Sequence, residues 1–498
     1  MVWISSTAAA DEAAKVRFET VPYARGHGID VGLPGKRWHY ANAIPVDVES
    51  PADLLRLRWF AEGAFDFVFS SFALPVFENA AAALAALWRL VSVGGDLILY
   101  LPHAEHYPAI GEAGCDARFR RLFRPEDVLA LMRELAPDWD LVESQSRSLL
   151  AEAALLQVYR RGEPGSGQRQ SWQTPLPQKR AAVVRYGAFG DALWASSVFP
   201  QLKTAGYHLT VYTQEQGYEA LAHDPHVDRF VIVPPSVVSA DDMIAYWQWE
   251  RRKYQRWINL IHSVEASMLW VPTDVLFHAP DEVRRWKAAG NYLEAVHRFA
   301  ELPYEPRQRF YPSADDRAWA TAERAQYDGP VVVVSPQGST WPKWWPYTER
   351  FAELMAAQCV HTIIVGDYRG AAPKLPARYG HFVGRGWPIR RAFTFAALAD
   401  CVVGEESAMV NAVAFETVPK VVLMSHSPAA ALTRDWTNCS AIEPSRMPCF
   451  PCHRIHQDHS FCVLEKKTQS AGCQALIQPE TVAQIVLERL NLAQRAAA

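Results

Sequence analysis

The 498-residue sequence contains no run of 18 or more apolar residues, so no membrane-spanning segment is predicted. Its N-terminal stretch, MVWISSTAAADEAAK, lacks the basic region and the long apolar region of a secretory signal. We therefore expect a cytoplasmic protein. The net charge of −4 gives no electrostatic reason to expect nucleic acid as a partner.

The composition is that of an ordinary globular protein, with 49% hydrophobic and 21% charged residues. A chain of this length holds about three domains at roughly 100–200 residues each. Short apolar strands alternate with helical patterns throughout the sequence. This alternation predicts an α/β fold with parallel sheets and crossover helices.

The alternating pattern divides into three blocks. We expect a Rossmann-like domain over residues 1–160, a Pro-, Gly- and Gln-rich linker over 161–180, and two further blocks over 181–325 and 326–498. The last two blocks predict two doubly wound halves that face a cleft.

The first block carries a glycine-containing turn and an acid after its second strand, the pattern that binds a nucleoside cofactor. The candidate cofactor-binding residues are Asp30, Gly32, Gly35 and Asp47. Residues 15–160 resemble the class I S-adenosylmethionine-dependent methyltransferases, although Pro34 breaks the glycine pattern of that family. The resemblance implies S-adenosylmethionine as a cofactor. A degenerate Rossmann-like module used for assembly remains an alternative.

The second block opens with the strand–turn–helix sequence AAVVRYGAFGDALWASSVF. Gly187 and Gly190 let the backbone turn tightly beside a ligand, and the following helix N-terminus suits an anionic group. Asp191 either caps that helix or points into the cleft as a catalytic base.

Two further polar segments follow strands of the third block. In VVVVSPQGSTWPKWWP, Ser339 and Thr340 can cradle a diphosphate and Lys343 can stabilise it as it leaves. The alternative is a polar loop with a solvated lysine. In CVVGEESAMVNA, Glu406, Ser407 and Asn411 follow a strand, where open α/β sheets bind ligands.

These three segments in this order resemble the family-9 glycosyltransferases, which include the ADP-heptose heptosyltransferases, over about residues 180–490. The strongest match is Arg-x-Gly-x-x-Gly-Asp between a strand and a helix, and HDPHVDRFVIVP and GSTWPKWWP also match. The third motif departs, because Glu406-Ser407-Ala408 stands for the usual Asp-Thr/Ser-Gly and Asn411 for a His.

The resemblance implies a GT-B fold, with the acceptor on the 181–325 side and the nucleotide sugar on the 326–498 side. It implies inverting transfer of a sugar, heptose by this likeness, from an ADP-linked donor to a protein or glycan hydroxyl. Asp191 would act as the base, Lys343 as the phosphate clamp and Glu406 as a sugar or nucleoside ligand. The residues implied to bind the donor are Gly187, Gly190, Ser339, Thr340, Glu406, Ser407 and Asn411. No catalytic metal is expected.

Five of the eight cysteines crowd into one C-terminal stretch. Cys449-x2-Cys452 is followed by Cys462 and Cys473, a set that suits a tetrahedral structural metal over residues 449–473. Zinc is the default and iron fits the same geometry. Alternative ligands are His453, His456 and His459, and the other alternative is a set of reduced surface thiols. Such a finger also resembles the protein-glycosylating heptosyltransferase branch.

Two other functions remain open at this stage. The chain could be a bifunctional methyltransferase–glycosyltransferase, or a non-catalytic scaffold that binds a sugar nucleotide. The finger and the N-terminal domain both offer surfaces for assembly, so a homo-oligomer is expected. A basic stretch with Arg284, Arg285, Lys287 and Arg298 either meets an anionic acceptor or faces solvent.

Overall fold

The computed structural model describes residues 12–497, apart from 36–38, 49, 148–151, 175–176, 234, 236–237, 369, 445 and 455–460. The chain forms two compact units. Unit 1 comprises Met1–Gln178 and Val231–Lys253, and unit 2 comprises Lys179–Phe230 and Tyr254–Ala498. No helix within the described ranges is both long enough and apolar enough to cross a bilayer.

The described strands and helices alternate through most of the chain. The strands are β1 Gly28–Gly32, β2 Ala43–Asp47, β3 Phe65–Ser71, β4 Val91–Pro102, β5 Trp139–Arg147, β6 Ala154–Arg161, β7 Gln168–Arg169, β8 Arg180–Val184, β9 His208–Thr213, β10 Arg229–Ile232, β11 Arg256–Asn259, β12 Val331–Ser335, β13 His361–Val365, β14 Gly380–Gly384, β15 Cys401–Glu405, β16 Lys420–Leu423 and β17 Cys439–Ile442. The helices are α1 Arg17–Thr20, α2 Ala80–Leu90, α3 Pro125–Leu135, α4 Phe189–Ser196, α5 Phe199–Thr204, α6 Glu215–Leu221, α7 Met243–Glu250, α8 Asp281–Lys287, α9 Tyr292–Phe299, α10 Ala314–Arg324, α11 Thr348–Ala356, α12 Ile389–Leu398, α13 Ala408–Ala412, α14 Ala429–Leu432, α15 Gly472–Leu476 and α16 Pro479–Ala497.

Unit 1 is built on one sheet in the order β2-β1-β3-β4-β6-β5-β7. Strands β1 to β4 pair in parallel, whereas β6 runs antiparallel to both β4 and β5. The expected linker over 161–180 is partly structured, because β6 continues to Arg161 and β7 pairs with β5. The segment Val231–Lys253, expected in the second block, also belongs to this unit.

Unit 2 contains two sheets, in the orders β10-β9-β8-β11 and β14-β13-β12-β15-β16-β17. Numbered within its own lobe, the second sheet has the order 3-2-1-4-5-6 of a doubly wound dinucleotide-binding fold, and the first sheet has 3-2-1-4. All five strand pairs of the second sheet are parallel. This topology confirms the predicted α/β class with two Rossmann-like lobes.

The strand order also positions the candidate site. In such sheets ligands bind outside the carboxyl ends of the strands, at the point where the strand order reverses. In unit 2 these points lie between β8 and β11 and between β12 and β15. The uninterrupted apolar sequence of β12, buried at all five positions, is typical of a strand covered on both faces.

Candidate functional site

The turn between β8 and α4 depends on Gly187. Its φ of +116° lies in the region that side chains rarely adopt, and a Cβ there would come within 2.7 Å of Asp191 Oδ2. Glycine therefore lets the carboxylate of the following helix fold back over the turn.

Asp191 caps the helix, and its role as a base stays a prediction. Its Oδ2 accepts the Ala188 N–H at 2.9 Å, which caps α4, while Oδ1 accepts from Arg185 Nη2 at 2.6 Å. The side chain is still 20% exposed. Burial raises the pKa of Asp191, and so does the charge of Glu265, whereas Arg185 acts in the opposite direction. A carboxylate with a raised pKa is better suited to accept a proton.

Arg185 organises this corner of the site. It is buried, and its Nη1 donates to the carbonyl of Leu260 at 2.8 Å, just beyond β11. Its Nη2 also lies 3.1 Å from Glu265 Oε1. One guanidinium thus joins the carboxyl ends of β8 and β11 and faces two carboxylates. The sequence motif contained this arginine, but the motif did not indicate its contacts.

The turn after β12 is built around Gly338. A Cβ there would lie 2.3 Å from Glu405 Oε2 and 3.2 Å from Lys343 Cδ, so the glycine leaves room for both side chains. Lys343 is 8% exposed, and its Nζ donates to the Glu406 carbonyl at 3.1 Å. The Lys343 side chain is therefore not solvated. The alternative interpretation, a polar loop with a solvated lysine, does not hold.

Glu406 is held by donors from its own lobe. Its carboxylate accepts from Ser425 N at 2.8 Å and Ser427 Oγ at 3.0 Å, and His426 Nδ1 lies 2.7 Å from Oε2. Although burial opposes ionisation, His426 and these hydrogen bonds lower the pKa of Glu406 to about 2. These contacts give Glu406 a structural function in anchoring the loop after β16.

Glu405 is the last residue of β15 and, with Glu406 and Ser407, belongs to the polar segment predicted at the end of this strand. It is fully buried, and neither carboxylate oxygen has a hydrogen-bond partner among the described residues. Burial and the neighbouring Glu406 raise the pKa of Glu405 well above its usual range, whereas the charge of Lys343 acts in the opposite direction. Its position at the end of β15 was visible in the sequence, but its isolation was not.

Gly190 and Asn411 lie where α4 approaches α13. A Cβ on Gly190 would be 3.6 Å from Asn411 Nδ2. The Asn411 amide accepts from Trp194 Nε1 at 2.7 Å and donates to the Ser407 carbonyl at 2.9 Å. These contacts join the two lobes of unit 2, and the role of Asn411 in binding a donor stays a prediction.

The two lobes enclose a cavity of about 590 Å³ at the carboxyl ends of their strands. The predicted residues Ser339 and Ser407 line it, together with Ala188 from the first glycine turn. The Ser407 hydroxyl is buried without a hydrogen-bond partner among the described residues.

Charged and aromatic side chains that the sequence reasoning missed also line this cavity. Arg385 and Asp367 form an ion pair at 2.6 Å, and Trp387 lies on the same wall. All three follow β13 or β14. Their positions just after strands were therefore the only feature of the sequence that could have indicated them as site residues. Among the described lining residues, neither Lys343 nor Thr340 is present.

Lys343 and Thr340 instead line a second cavity, of about 40 Å³, together with Cys449, Cys452, Cys462 and Cys473. All four cysteines are free thiols. No three of their Sγ atoms lie within 4.8 Å of one another, whereas zinc–sulfur distances near 2.3 Å bring tetrahedral sulfurs to about 3.8 Å. The donor set fits a tetrahedral thiolate site once the thiols move closer together.

Of the alternative histidine ligands, His453 is described and is buried. His456 and His459 lie outside the described residues. Burial and the neighbouring His426 together lower the pKa of His453 to about 4. The imidazole is therefore neutral at pH 7.

The basic stretch binds the cysteine segment. Arg284 Nε donates to the Cys452 carbonyl at 3.0 Å and Arg285 Nη2 to the Pro448 carbonyl at 2.8 Å. Arg284 is almost completely buried. Arg284 is therefore held by the protein itself and does not face solvent, whereas Arg285 is half-buried.

In unit 1 the candidate cofactor residues differ in accessibility. Asp30 is buried within β1, with Tyr40 N and His39 Nδ1 at 3.4 and 3.3 Å from its Oδ2. Asp47 ends β2 and is exposed, and a Cβ on Gly35 would meet open space. Gly32 is the buried last residue of β1. Asp47 is thus the acid that a ligand could reach.

The fold and the cleft define unit 2 as a two-lobed α/β protein of the nucleotide-binding type. No protein-family model matches the chain, and no curated protein is similar enough to count as a relative. Over 63% of its length, the chain matches 99% of the ADP-heptose lipopolysaccharide heptosyltransferase II of E. coli, at 13% identity and a TM-score of 0.46.

Two further solved structures are also similar to the chain. The iron-containing dodecameric glycosyltransferase TibC of enterotoxigenic E. coli matches at 13% identity and a TM-score of 0.42, over 64% of this chain and 78% of TibC. A protein of Bacillus halodurans described as a methyltransferase matches at 15% identity and a TM-score of 0.22, over 31% of this chain and 99% of its own. At these identities the likenesses concern the fold alone.

Proposed function

We propose that the protein is an inverting glycosyltransferase that moves a sugar from a nucleotide diphosphate donor to an acceptor hydroxyl. The observation that carries this proposal is the Asp191 carboxylate, partly exposed and with a raised pKa, two residues after Phe189, the first residue of α4, which lines the 590 Å³ cavity between the lobes. Inverting transfer requires one base in such a position.

In the proposed reaction, Asp191 accepts the proton of the acceptor hydroxyl as its oxygen attacks the anomeric carbon. The bond to the nucleotide diphosphate breaks on the opposite face of the sugar. Arg185 keeps the carboxylate in place, and the capping bond from Ala188 fixes its second oxygen. A base held by two fixed contacts loses little entropy on reaching the transition state.

The departing diphosphate requires positive charge and hydrogen-bond donors. We propose that Arg385, the Ser339 and Ser407 hydroxyls, and the N–H groups at the start of α4 supply them from the cavity wall. Lys343 contributes its charge from behind the Gly338 turn, where its methylenes pack. Trp387 offers a surface on which the nucleotide base can stack.

We propose ADP-heptose as the donor and a protein or glycan hydroxyl as the acceptor. This choice comes from the Arg-x-Gly-x-x-Gly-Asp and Trp-Pro-Lys segments of the sequence. Comparison of several nucleotide sugars as donors identifies the nucleotide and the sugar.

The test is release of ADP by the purified chain with ADP-heptose, in parallel with UDP-glucose and GDP-mannose, for wild type and Asp191→Asn. ADP release that depends on Asp191 supports the proposal. Donor binding without turnover in the wild type would contradict it and identify a scaffold that binds sugar nucleotides.

We further propose that Cys449, Cys452, Cys462 and Cys473 hold one structural zinc or iron ion, which would fix the fold of the finger without entering the reaction. The finger and the N-terminal domain offer surfaces for assembly into a homo-oligomer. Light scattering of the metal-loaded protein measures the assembly directly.

A further inference from the structure

A turn at the end of β4 in unit 1 is held firmly by its backbone. His103 follows the last residue of the strand, and its N–H donates to the Ala153 carbonyl at 2.9 Å. Ala104 N donates to the Phe123 carbonyl at 2.9 Å, and Tyr107 N donates back to the His103 carbonyl at 2.9 Å. Chain segments on both sides therefore fix the course of the turn.

This turn brings three metal-binding side chains together. One ligand atom from each of His103, Glu105 and His106 lies within 4.8 Å of the other two. The two imidazole rings are 4.4 Å apart between centroids and tilted by 32°. His103 is buried, whereas Glu105 and His106 are exposed. The cluster thus has an anchored side and a side open to solvent.

The side chains of His103 and Glu105 now make weak contacts that bonds to a metal ion could replace. The Glu105 carboxylate lies 3.1 Å from Arg124 Nε in a solvent-exposed ion pair, which contributes little to stability. His103 Nδ1 accepts the Glu105 N–H at 3.2 Å, at the long end of the hydrogen-bond range.

We propose that His103, Glu105 and His106 form a binding site for a divalent first-row transition ion, with Zn²⁺ as the reference ion. Two imidazoles and one carboxylate are the protein ligands of many zinc sites that keep a fourth position open. The site lies at the carboxyl end of a central strand, the edge at which Rossmann-like sheets bind ligands. The open position would take water or an anionic ligand.

The site is independent of the cysteine finger and of the proposed transfer reaction. It lies in unit 1, has no sulfur ligand, and shares no residue with the predicted sites. Its chemistry therefore gives a different spectroscopic signature. Co²⁺ bound by nitrogen and oxygen lacks the intense near-ultraviolet charge-transfer band that thiolate ligands produce.

The test uses full-length protein with its finger already loaded, titrated with Zn²⁺ by calorimetry and with Co²⁺ by absorption. We expect one additional equivalent, with visible bands and no new thiolate band. His106→Ala and Glu105→Gln, both at exposed positions, should weaken binding by more than about tenfold. His27→Ala replaces an exposed histidine of the same unit and should leave binding unchanged.

Arg124→Gln separates a metal site from an incidental cluster. It removes the cation that competes with the metal for Glu105, so metal binding should become severalfold tighter. If the cluster had only a structural function, this substitution would not increase metal affinity. The proposal is overturned if the additional equivalent survives His106→Ala, if its affinity is weaker than about 0.1 mM, or if the Co²⁺ spectrum contains a new thiolate band.

Discussion

Arg185 Nη2 lies 2.6 Å from Asp191 Oδ1 and 3.1 Å from Glu265 Oε1, so one buried guanidinium holds two carboxylates at the edge of the cleft. The two acids are not equivalent. Asp191 also caps α4 through its other oxygen, and burial raises the pKa of Asp191. This difference suggests which of the two can act as the base.

Replacing Asp191 by Asn should lower sugar transfer by about 10²–10⁴-fold, because a general base is removed. The amide oxygen of Asn can still accept the Ala188 N–H, so we expect the melting temperature to change little. Donor affinity, measured by calorimetry, should be retained.

Glu265→Gln is the matched control, since it neutralises the other carboxylate on Arg185. We expect it to retain most of the activity. If Glu265→Gln lowers transfer as far as Asp191→Asn, the assignment of the base is wrong.

Glu406 should make stability depend on pH. Its pKa is about 2 in the folded protein against an ordinary value of 4.5, so its charge stabilises the fold by about 3 kcal/mol. That contribution is complete above pH 4.5 and decreases as the pH falls towards 2. The difference in urea stability between wild type and Glu406→Gln should therefore shrink from pH 6 to pH 3. A constant difference would contradict the pKa assignment.

Cys462→Ser should reduce the metal content of the purified protein, measured by elemental mass spectrometry, and lower its melting temperature. The reason is that metal-binding energy contributes directly to the stability of a site of this type. Cys359→Ser is the control, because Cys359 is an exposed free thiol outside the cavity. Equal metal content in the two variants would exclude the four-cysteine site.

The two acids of unit 1 should respond differently to replacement. Asp30→Asn should cost about 1–3 kcal/mol in urea unfolding, because it disturbs a buried hydrogen-bonded carboxylate. Asp47→Asn should stay within about 0.5 kcal/mol, since the side chain is exposed. Calorimetry with S-adenosylmethionine addresses the cofactor: heat that Asp47→Asn abolishes supports its role, and no heat in the wild type contradicts it.

The sequence predicted where the site segments would lie better than which side chains would face the cavity. Asp191, Ser339 and Glu406 all follow strands, and the strand pattern alone places such segments at one edge of a sheet. Which way a side chain points depends on packing from distant parts of the chain. Glu406 is bound by the Ser425–Ser427 loop and Lys343 by a backbone carbonyl, and neither contact has a local sequence signal.

The same limitation explains the basic stretch and the segment Val231–Lys253. Arg284 and Arg285 have the spacing of a solvated helix face, but their partners lie more than 160 residues away. The helix α7 has no pattern that would assign it to unit 1 instead of its sequence neighbours. Tertiary contacts of this range cannot be obtained from periodicity.

The hydrogen bonds from Arg284 and Arg285 to the finger backbone have a mechanical consequence. The finger emerges from the lobe that contains β17, while both arginines belong to α8 near the other lobe. Besides the covalent connection and contacts such as Trp194–Asn411, the halves of unit 2 thus share a tether with polar attachment points. Any hinge motion that widens the crevice must either stretch this tether or carry the finger along with it.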